Sequence, residues 1–335
     1  MQGDRREETN GSLLDVRDLQ TWFPVKRGIF SRTAGYVRAV DGVSLRVIAG
    51  ETLALVGESG CGKTTLARTV LRLEPARSGS IVFNGVDMLG PAGEIRSLRP
   101  QLQMIFQDPF SSLNPRMMVM DIVTEGMVQH GMIRRRGRQK EGARLLEDVG
   151  LDSDALYRYP HEFSGGQRQR ISIARALAMR PKLIICDEPV SALDVSVQAQ
   201  VLNLLMDLRD EHGLAYLFIS HDLSVVRHIA DRVAVMYLGK IVEAGTAAEV
   251  IDAPRHPYTR ALISAIPRLR GKRGERIVLP GDVPSPSAPP PGCRFHPRCP
   301  FAVDRCRLSE PALEPCAGES SGRRIACIRK DEVRN

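Results

Sequence analysis

The chain has 335 residues, 43% apolar and 26% charged, ample for one α/β domain and a small appendage. No apolar run approaches the roughly 20 residues of a membrane-spanning helix, and the opening Met1 to Glu8 lacks the character of a secretory signal, so a cytoplasmic protein is expected. The 47 Lys and Arg against 39 Asp and Glu leave a net charge of +8, but no aromatic interleaving or recognised nucleic-acid module accompanies it, so no nucleic-acid partner is expected.

Residues 1–12 read as a disordered tail, and residues 13–262 as one domain. Trp22 and Phe23 precede an insertion-like stretch, Pro24 to Gly35, after which Val37 to Leu45 reads as a strand. The apolar strand Glu51 to Val56 then runs into Gly57, Glu58, Ser59, Gly60, Cys61, Gly62, Lys63, Thr64 and Thr65, the pattern G-x-x-x-x-G-K-[ST]. Thr65 to Leu71 leaves it as a helix. Three glycines let such a loop wrap a phosphate with its N–H groups inward, at the positive end of the helix. Lys63 would reach the β and γ phosphates of a nucleotide and Thr64 would ligate magnesium. Cys61 fills a variable position, and its thiol reads as incidental.

Leu102 to Phe106 is a further apolar strand, ended by Gln107. Residues 108–163 are helical in pattern and rich in Met and Arg; their basic run, Arg134 to Lys140, reads as a solvated face. Ser164, Gly165, Gly166 and Gln167 open a helix, 101 residues after Lys63, so their N–H groups suit a phosphate. The apolar Leu183 to Cys186 ends in Asp187 and Glu188, which strand alternation sends in different directions. Asp187 would hold magnesium and Glu188 would polarise a water as general base. Asp194 follows Ser191 to Leu193, and His221 follows the apolar Ala215 to Ser220.

His256 to Leu262 closes the core, and residues 263–335 form the expected extension. It begins with a stiff linker carrying six prolines within residues 280–291. Five of the seven cysteines follow: Cys293, Cys299, Cys306, Cys316 and Cys327. A reducing compartment disfavours structural disulfides, so a bound metal, which could be zinc, is the better account of these cysteines, with free thiols as the alternative.

The ordered set of loop, Gln107, Ser164–Gln167, Asp187–Glu188, Asp194 and His221 resembles the ATP-binding subunits of ABC transporters. The segment Gln107 to Arg116 and the run Gly292 to Pro300 resemble the second, F-type ATPase of oligopeptide and dipeptide importers, a likeness extending from about Leu13 to Cys327. The resemblance implies an α/β P-loop NTPase of the RecA-like kind: a mostly parallel sheet, an antiparallel β subdomain, an inserted helical subdomain at about 108–163, and a small Cys- and Pro-rich extension. It also implies ATP and magnesium as ligands, with Gln107 sensing the metal, His221 contacting the γ phosphate and Asp194 bridging two ATPase subunits. Phe23 best fits the position of the ring that stacks on adenine, with Tyr36 as the competitor. Cys293, Cys299, Cys306 and Cys327 match the spacing by which some members hold a [4Fe-4S] cluster; Cys316 departs from it.

The partners so implied are a second ATPase subunit that closes head to tail over ATP, two transmembrane permeases and an extracytoplasmic substrate-binding protein. The chain would then lie peripherally on the cytoplasmic face of the inner membrane. A single loop argues against the two-cassette translation factors, and the short gap from loop to Ser164 leaves no room for a coiled-coil arm. Cargo stays open between peptides and nickel, glutathione, an opine, a sugar or an exported antimicrobial peptide, as does pairing with itself or with a relative; a non-transport ATPase is the remaining alternative.

Overall fold

The computed structural model of the protein describes residues 11–28, 32–266, 277–316, 322–330 and 332. Residues 1–10 of the expected tail lie outside that set, and Ser12 already opens a strand. The chain divides into two compact units: one of Met1–Ile48, Thr52–Gly90 and Ser220–Asn335, the other of Ala49–Glu51 and Pro91–Ile219.

In the first unit, strands Ser12–Arg27 and Arg32–Ile48 form a long antiparallel hairpin, extended by Ser78–Phe83 and Val86–Asp87. Its buried face is built from opposed apolar pairs: Leu14 with Val47, Val16 with Leu45 and Leu19 with Val43. The expected insertion from Pro24 to Gly35 is instead the far end of this hairpin. Pro24 pairs with Tyr36, Val25 with Gly35 and Lys26 with Thr33; residues 29–31 lie outside the described set. The second strand is exposed through Arg32, Thr33 and Ala34, so no buried face imposes apolar alternation there and the pattern that announces a strand is missing.

The same unit holds the strand Thr52–Val56, buried at all five residues and parallel to Arg232–Tyr237. Arg232–Tyr237 is antiparallel to Lys240–Thr246, which in turn carries Arg324–Ile325. That last strand comes from the cysteine-rich end of the chain. Phe295 from the same end is 1% exposed, its ring 5.3 Å from Tyr237, 5.5 Å from Tyr258 and 5.6 Å from His256. A buried pair adds to the seam: Arg323 donates to Glu243, whose carboxylate also accepts from the backbone N–H groups of Arg255 and His256. The described part of the extension therefore completes the core of this unit. Residues 280–291, the proline linker, form no helix or strand, and the Pro286 carbonyl accepts from the Arg38 N–H at 3.0 Å.

The second unit centres on three parallel strands, Leu102–Ile105, Leu183–Asp187 and Ala215–Ser220, in register at Met104, Ile185 and Leu217. The last two are buried throughout, which their unbroken apolar runs anticipate. Helices Val119–Gln129, Arg138–Asp148 and Gly165–Leu177 pack on one another, and Val195–His212 follows the middle strand. Gly142 lets the turn Ser153–Tyr157 approach helix Arg138–Asp148 closely, because a Cβ there would lie 2.8 Å from Leu156 Cδ2.

The basic run is not wholly a solvated face. Arg134, Arg135 and Arg136 are exposed, but the Arg138 guanidinium turns inward to Asp121 and to Thr124 Oγ1, the latter at 2.9 Å. It thereby ties helix Arg138–Asp148 to helix Val119–Gln129. Among the described residues no helix is long and apolar enough to cross a membrane. Arg138→Ala is expected to cost about 1 kcal/mol, since the pair is partly exposed, whereas Arg135→Ala should stay within about 0.5 kcal/mol of the parent; urea unfolding followed by circular dichroism measures both.

Candidate functional site

In the first unit the loop Gly57 to Thr65 joins the buried strand Thr52–Val56 to the helix Lys63–Val70. Its shape depends on two glycines. A Cβ on Gly62 (φ +111°) would lie 2.0 Å from the Ala39 carbonyl oxygen, and one on Gly57 (φ +154°) 2.2 Å from that of Met236. The Lys63 side chain is buried, its Nζ donating to the carbonyls of Gly57 at 2.8 Å and Glu58 at 3.1 Å. Thr64 and Thr65 are half-buried, Ser59 and Gly60 exposed. Burial pushes the Cys61 thiol up against the opposing pull of Lys63, so Cys61 stays a protonated, unreactive thiol at neutral pH.

Two residues that the sequence did not single out hold Glu58. Its N–H donates to the Tyr258 hydroxyl at 2.9 Å, and its carboxylate receives both terminal nitrogens of Arg298, at 2.8 and 3.2 Å. Their only sequence signal was membership of segments already quoted for other reasons. His221, also in this unit, is exposed just beyond the strand Ala215–Ser220.

The aromatic side chains sort by strand alternation. Trp22 lies under two guanidinium groups, Arg77 at 4.1 Å and Arg38 at 4.7 Å, donates its indole N–H to Asp41 at 3.2 Å, and has Tyr36 at 6.0 Å. Phe23, the next residue, is half-buried and points to the opposite face. The structure thus groups Trp22 with Tyr36 and leaves Phe23 outside that cluster.

In the second unit Gln107 and Glu188 meet. Gln107 Nε2 donates to Glu188 Oε2 at 3.1 Å. Asp187 is buried at the end of its strand, whereas Glu188 turns away in the left-handed region at φ +47°. That conformation costs on the order of 1–3 kcal/mol for a non-glycine residue; the Glu188 N–H bound to the Ile219 carbonyl at 2.9 Å, and the Ser191 hydroxyl donating to the Glu188 carbonyl at 3.0 Å, hold it.

Ser164 caps helix Gly165–Leu177 reciprocally with Gln167: the Gln167 N–H donates to Ser164 Oγ at 3.4 Å and the Ser164 N–H to Gln167 Oε1 at 3.0 Å. Ser164, Gly165 and Gln167 are exposed and Gly166 is half-buried, so this end of the helix faces outward with its N–H groups. A Cβ on Gly166 would lie 2.4 Å from Val197 Cγ1. Asp194 is exposed at the start of helix Val195–His212 and makes no side-chain cap bond there.

Cys293, Cys299, Cys306 and Cys327 line one small cavity together with His256 and His296. Burial, reinforced by the neighbouring thiols, pushes Cys293 and Cys299 up to about 11 and raises Cys327, so these groups are thiols at neutral pH and a metal would have to displace their protons. The convergence stops short of a ligand sphere. Among the described residues no group of three or more His, Cys, Asp or Glu is arranged to hold a metal ion. Cys316 is buried apart from that cavity, its N–H bound to the Arg323 carbonyl.

The family described as ABC transporter matches residues 40–191, and the one described as oligopeptide/dipeptide transporter, C-terminal region, matches residues 242–306. The oligopeptide transport ATP-binding protein AppF of Bacillus subtilis is 54% identical, over 91% of this chain and 94% of its own. The dipeptide transport ATP-binding protein DppF of Escherichia coli is 49% identical, over 96% of each. Among solved structures, an ATP-binding cassette dimer bound to ADP and phosphate aligns with TM-score 0.62 at 24% identity, over 70% of this chain and 98% of that one. CbiO1 of Clostridium perfringens, part of an ABC transporter complex, aligns equally well at 26% identity, over 73% and 92%.

His256 provides a pH handle on the first unit. It is 2% exposed and caps helix Pro257–Ser264 through Nδ1, which accepts the Tyr258 N–H at 3.1 Å. Burial pushes its pKa down from 6.5 to about 3. Below pH 6.5 the unfolded chain binds a proton here that the folded chain refuses, so the contribution is fully present above 6.5 and is lost as pH falls toward 3. The slope is at most about 1.4 kcal/mol per pH unit. Thermal melts between pH 7.5 and 5.0 should show a shallower pH dependence for His256→Asn, which keeps a cap acceptor, than for the parent.

Proposed function

The chain belongs to the ATP-binding proteins of ABC transporters, in their oligopeptide and dipeptide group, and from that premise we propose that it hydrolyses ATP to power peptide import. The loop Gly57 to Thr65 takes the phosphates, with Lys63 on the β and γ groups. Thr64, Asp187 and Gln107 are the residues that would hold magnesium, which when bound neutralises charge developing on the phosphates. Glu188 is the general base, its carboxylate oriented by the Gln107 amide 3.1 Å away. That contact is the observation that carries the hydrolytic reading: an amide bonded to the carboxylate of a residue whose backbone is held in the left-handed region. His221 contacts the γ phosphate, and an aromatic from the hairpin, Phe23 or Tyr36, takes the adenine.

The N–H groups of Gly165 and Gly166, in the first turn of the helix that Ser164 and Gln167 cap, are matched to the nucleotide held by a second ATPase subunit, a relative of this chain, and Asp194 lies on the same seam. ATP then links two subunits. Shifting such a pair from 1:99 to 99:1 closed needs about 5.5 kcal/mol of differential affinity, and hydrolysis withdraws it. Two permeases and an external binding protein complete the assembly, with this chain peripheral on the inner face of the membrane.

Glu188→Gln should keep ATP binding, lose at least about 100-fold in hydrolysis rate, and accumulate as the closed pair in light-scattering measurements. Unchanged hydrolysis in that variant, or in a Ser164→Ala/Gly166→Val variant, would defeat the reading.

Within the same reading Cys293, Cys299, Cys306 and Cys327 are the residues that would hold a [4Fe-4S] cluster or a zinc ion, which would cross-link the extension. What supports it is four thiols on one cavity; what opposes it is that no three of the described His, Cys, Asp or Glu residues are arranged to hold a metal ion. Iron, sulfide and zinc analysis after anaerobic purification decides: iron with sulfide, or zinc, bound in proportion to the chain supports the assignment, and absence of all three ends it.

A further inference from the structure

We propose that Arg298, carried by the cysteine-rich extension, is a positioning residue of the phosphate loop: it neutralises and fixes Glu58, and so sets the affinity of the loop for nucleotide. The inference rests on the reading of Gly57 to Thr65 as the ATP site and adds to it a residue 240 positions away in the chain.

Glu58 follows the first glycine of the loop, where a carboxylate is an awkward neighbour for a triphosphate. Left uncompensated it would repel the incoming anion and drift with the loop. Instead every polar group of Glu58 has a partner. Its carbonyl accepts from Lys63 Nζ at 3.1 Å, its N–H donates to the Tyr258 hydroxyl at 2.9 Å, and its two carboxylate oxygens each receive one terminal nitrogen of Arg298. The fork is bidentate, through both terminal nitrogens, a geometry that lysine cannot reproduce. Exposed ion pairs of this kind count for little, but here the Arg298 side chain is only 9% exposed and that of Glu58 27%.

The arginine is itself held. It ends the turn His296–Arg298, directly after Phe295, whose ring is locked among Tyr237, Tyr258 and His256. One turn earlier Arg294 donates to the Leu238 carbonyl and to Asp41, the same carboxylate that receives the Trp22 indole. The seven residues from Cys293 to Cys299 thus reach the loop at Glu58 and the hairpin at Asp41, with two of the cavity-lining cysteines at their ends. A segment serving only to cap the fold would not need its charges spent on the phosphate loop.

The test uses the full chain, equilibrium binding of a fluorescent ATP analogue with magnesium, and steady-state hydrolysis. Arg298→Gln should weaken binding about tenfold or more, with KM rising more than kcat falls; Arg298→Lys should recover only part. The discriminating variant is the pair. In a Glu58→Gln background, where no charge remains to be neutralised, Arg298→Gln should add no further loss. Unaltered binding in R298Q overturns the proposal, and so does an equal loss in the presence and absence of Glu58, which would mean that the arginine only supports the extension. Failure of the parent protein to bind the analogue overturns the ATP reading and this one together, whereas either of the first two results with a binding-competent parent overturns this one alone.

Discussion

The phosphate loop can exist only because two of its residues have no side chain. At Gly57 and Gly62 the backbone passes so close to the carbonyls of Met236 and Ala39 that a single methyl group would overlap them. Those two carbonyls belong to different strands, so the loop backbone is clamped between the hairpin and the strand Arg232–Tyr237 before any anion arrives. This is preorganisation in its simplest form: the entropy of arranging the amides is lost on folding rather than on binding. Lys63 follows the same logic, its ammonium held by two loop carbonyls instead of ranging through solvent.

The loop is legible in sequence because its physics is local. Glycines at fixed spacing, an apolar strand before and a helix after are all within twenty residues, and the same is true of Ser164 with Gln167 and of Asp187 with Glu188. Each pair or run carries its own reason on its face. The family resemblance could be read for the same cause, since the residues that touch a nucleotide come in short runs. The strands Leu183–Asp187 and Ala215–Ser220 were legible too, since burial on both faces leaves a nearly unbroken apolar run.

What was not legible is long-range. The hairpin beyond Phe23 passed for an insertion because both faces of its far end meet solvent, and a strand without a buried face writes no alternation. Arg138 passed for one more surface charge in a basic run, although Asp121 and Thr124 claim it from the preceding helix. Tyr258 and Arg298 gave no signal of this role, because their partner Glu58 lies 200 and 240 residues away and nothing in their neighbourhood names it. The cysteines were the reverse case: a strong local signal pointing to a metal, in a structure where the four thiols share a cavity without drawing together as ligands.

The extension illustrates how a segment too small to fold alone becomes ordered. A short run rich in proline and cysteine lacks the apolar area to offset its own conformational entropy. Here it contributes Phe295 to a core built by other strands, adds Arg324–Ile325 to an existing edge, and places Arg294, Arg298 and Arg323 on Asp41, Glu58 and Glu243. Buried pairs of this sort are weak as stabilisers, because desolvation offsets most of their attraction, yet breaking one strands a charge. They therefore act less as glue than as address labels. Three arginines find their counter-charges only where three carboxylates already stand, and one of those carboxylates is on the phosphate loop. The segment consequently has one favourable seat, and in taking it the tail becomes part of the surroundings of the site.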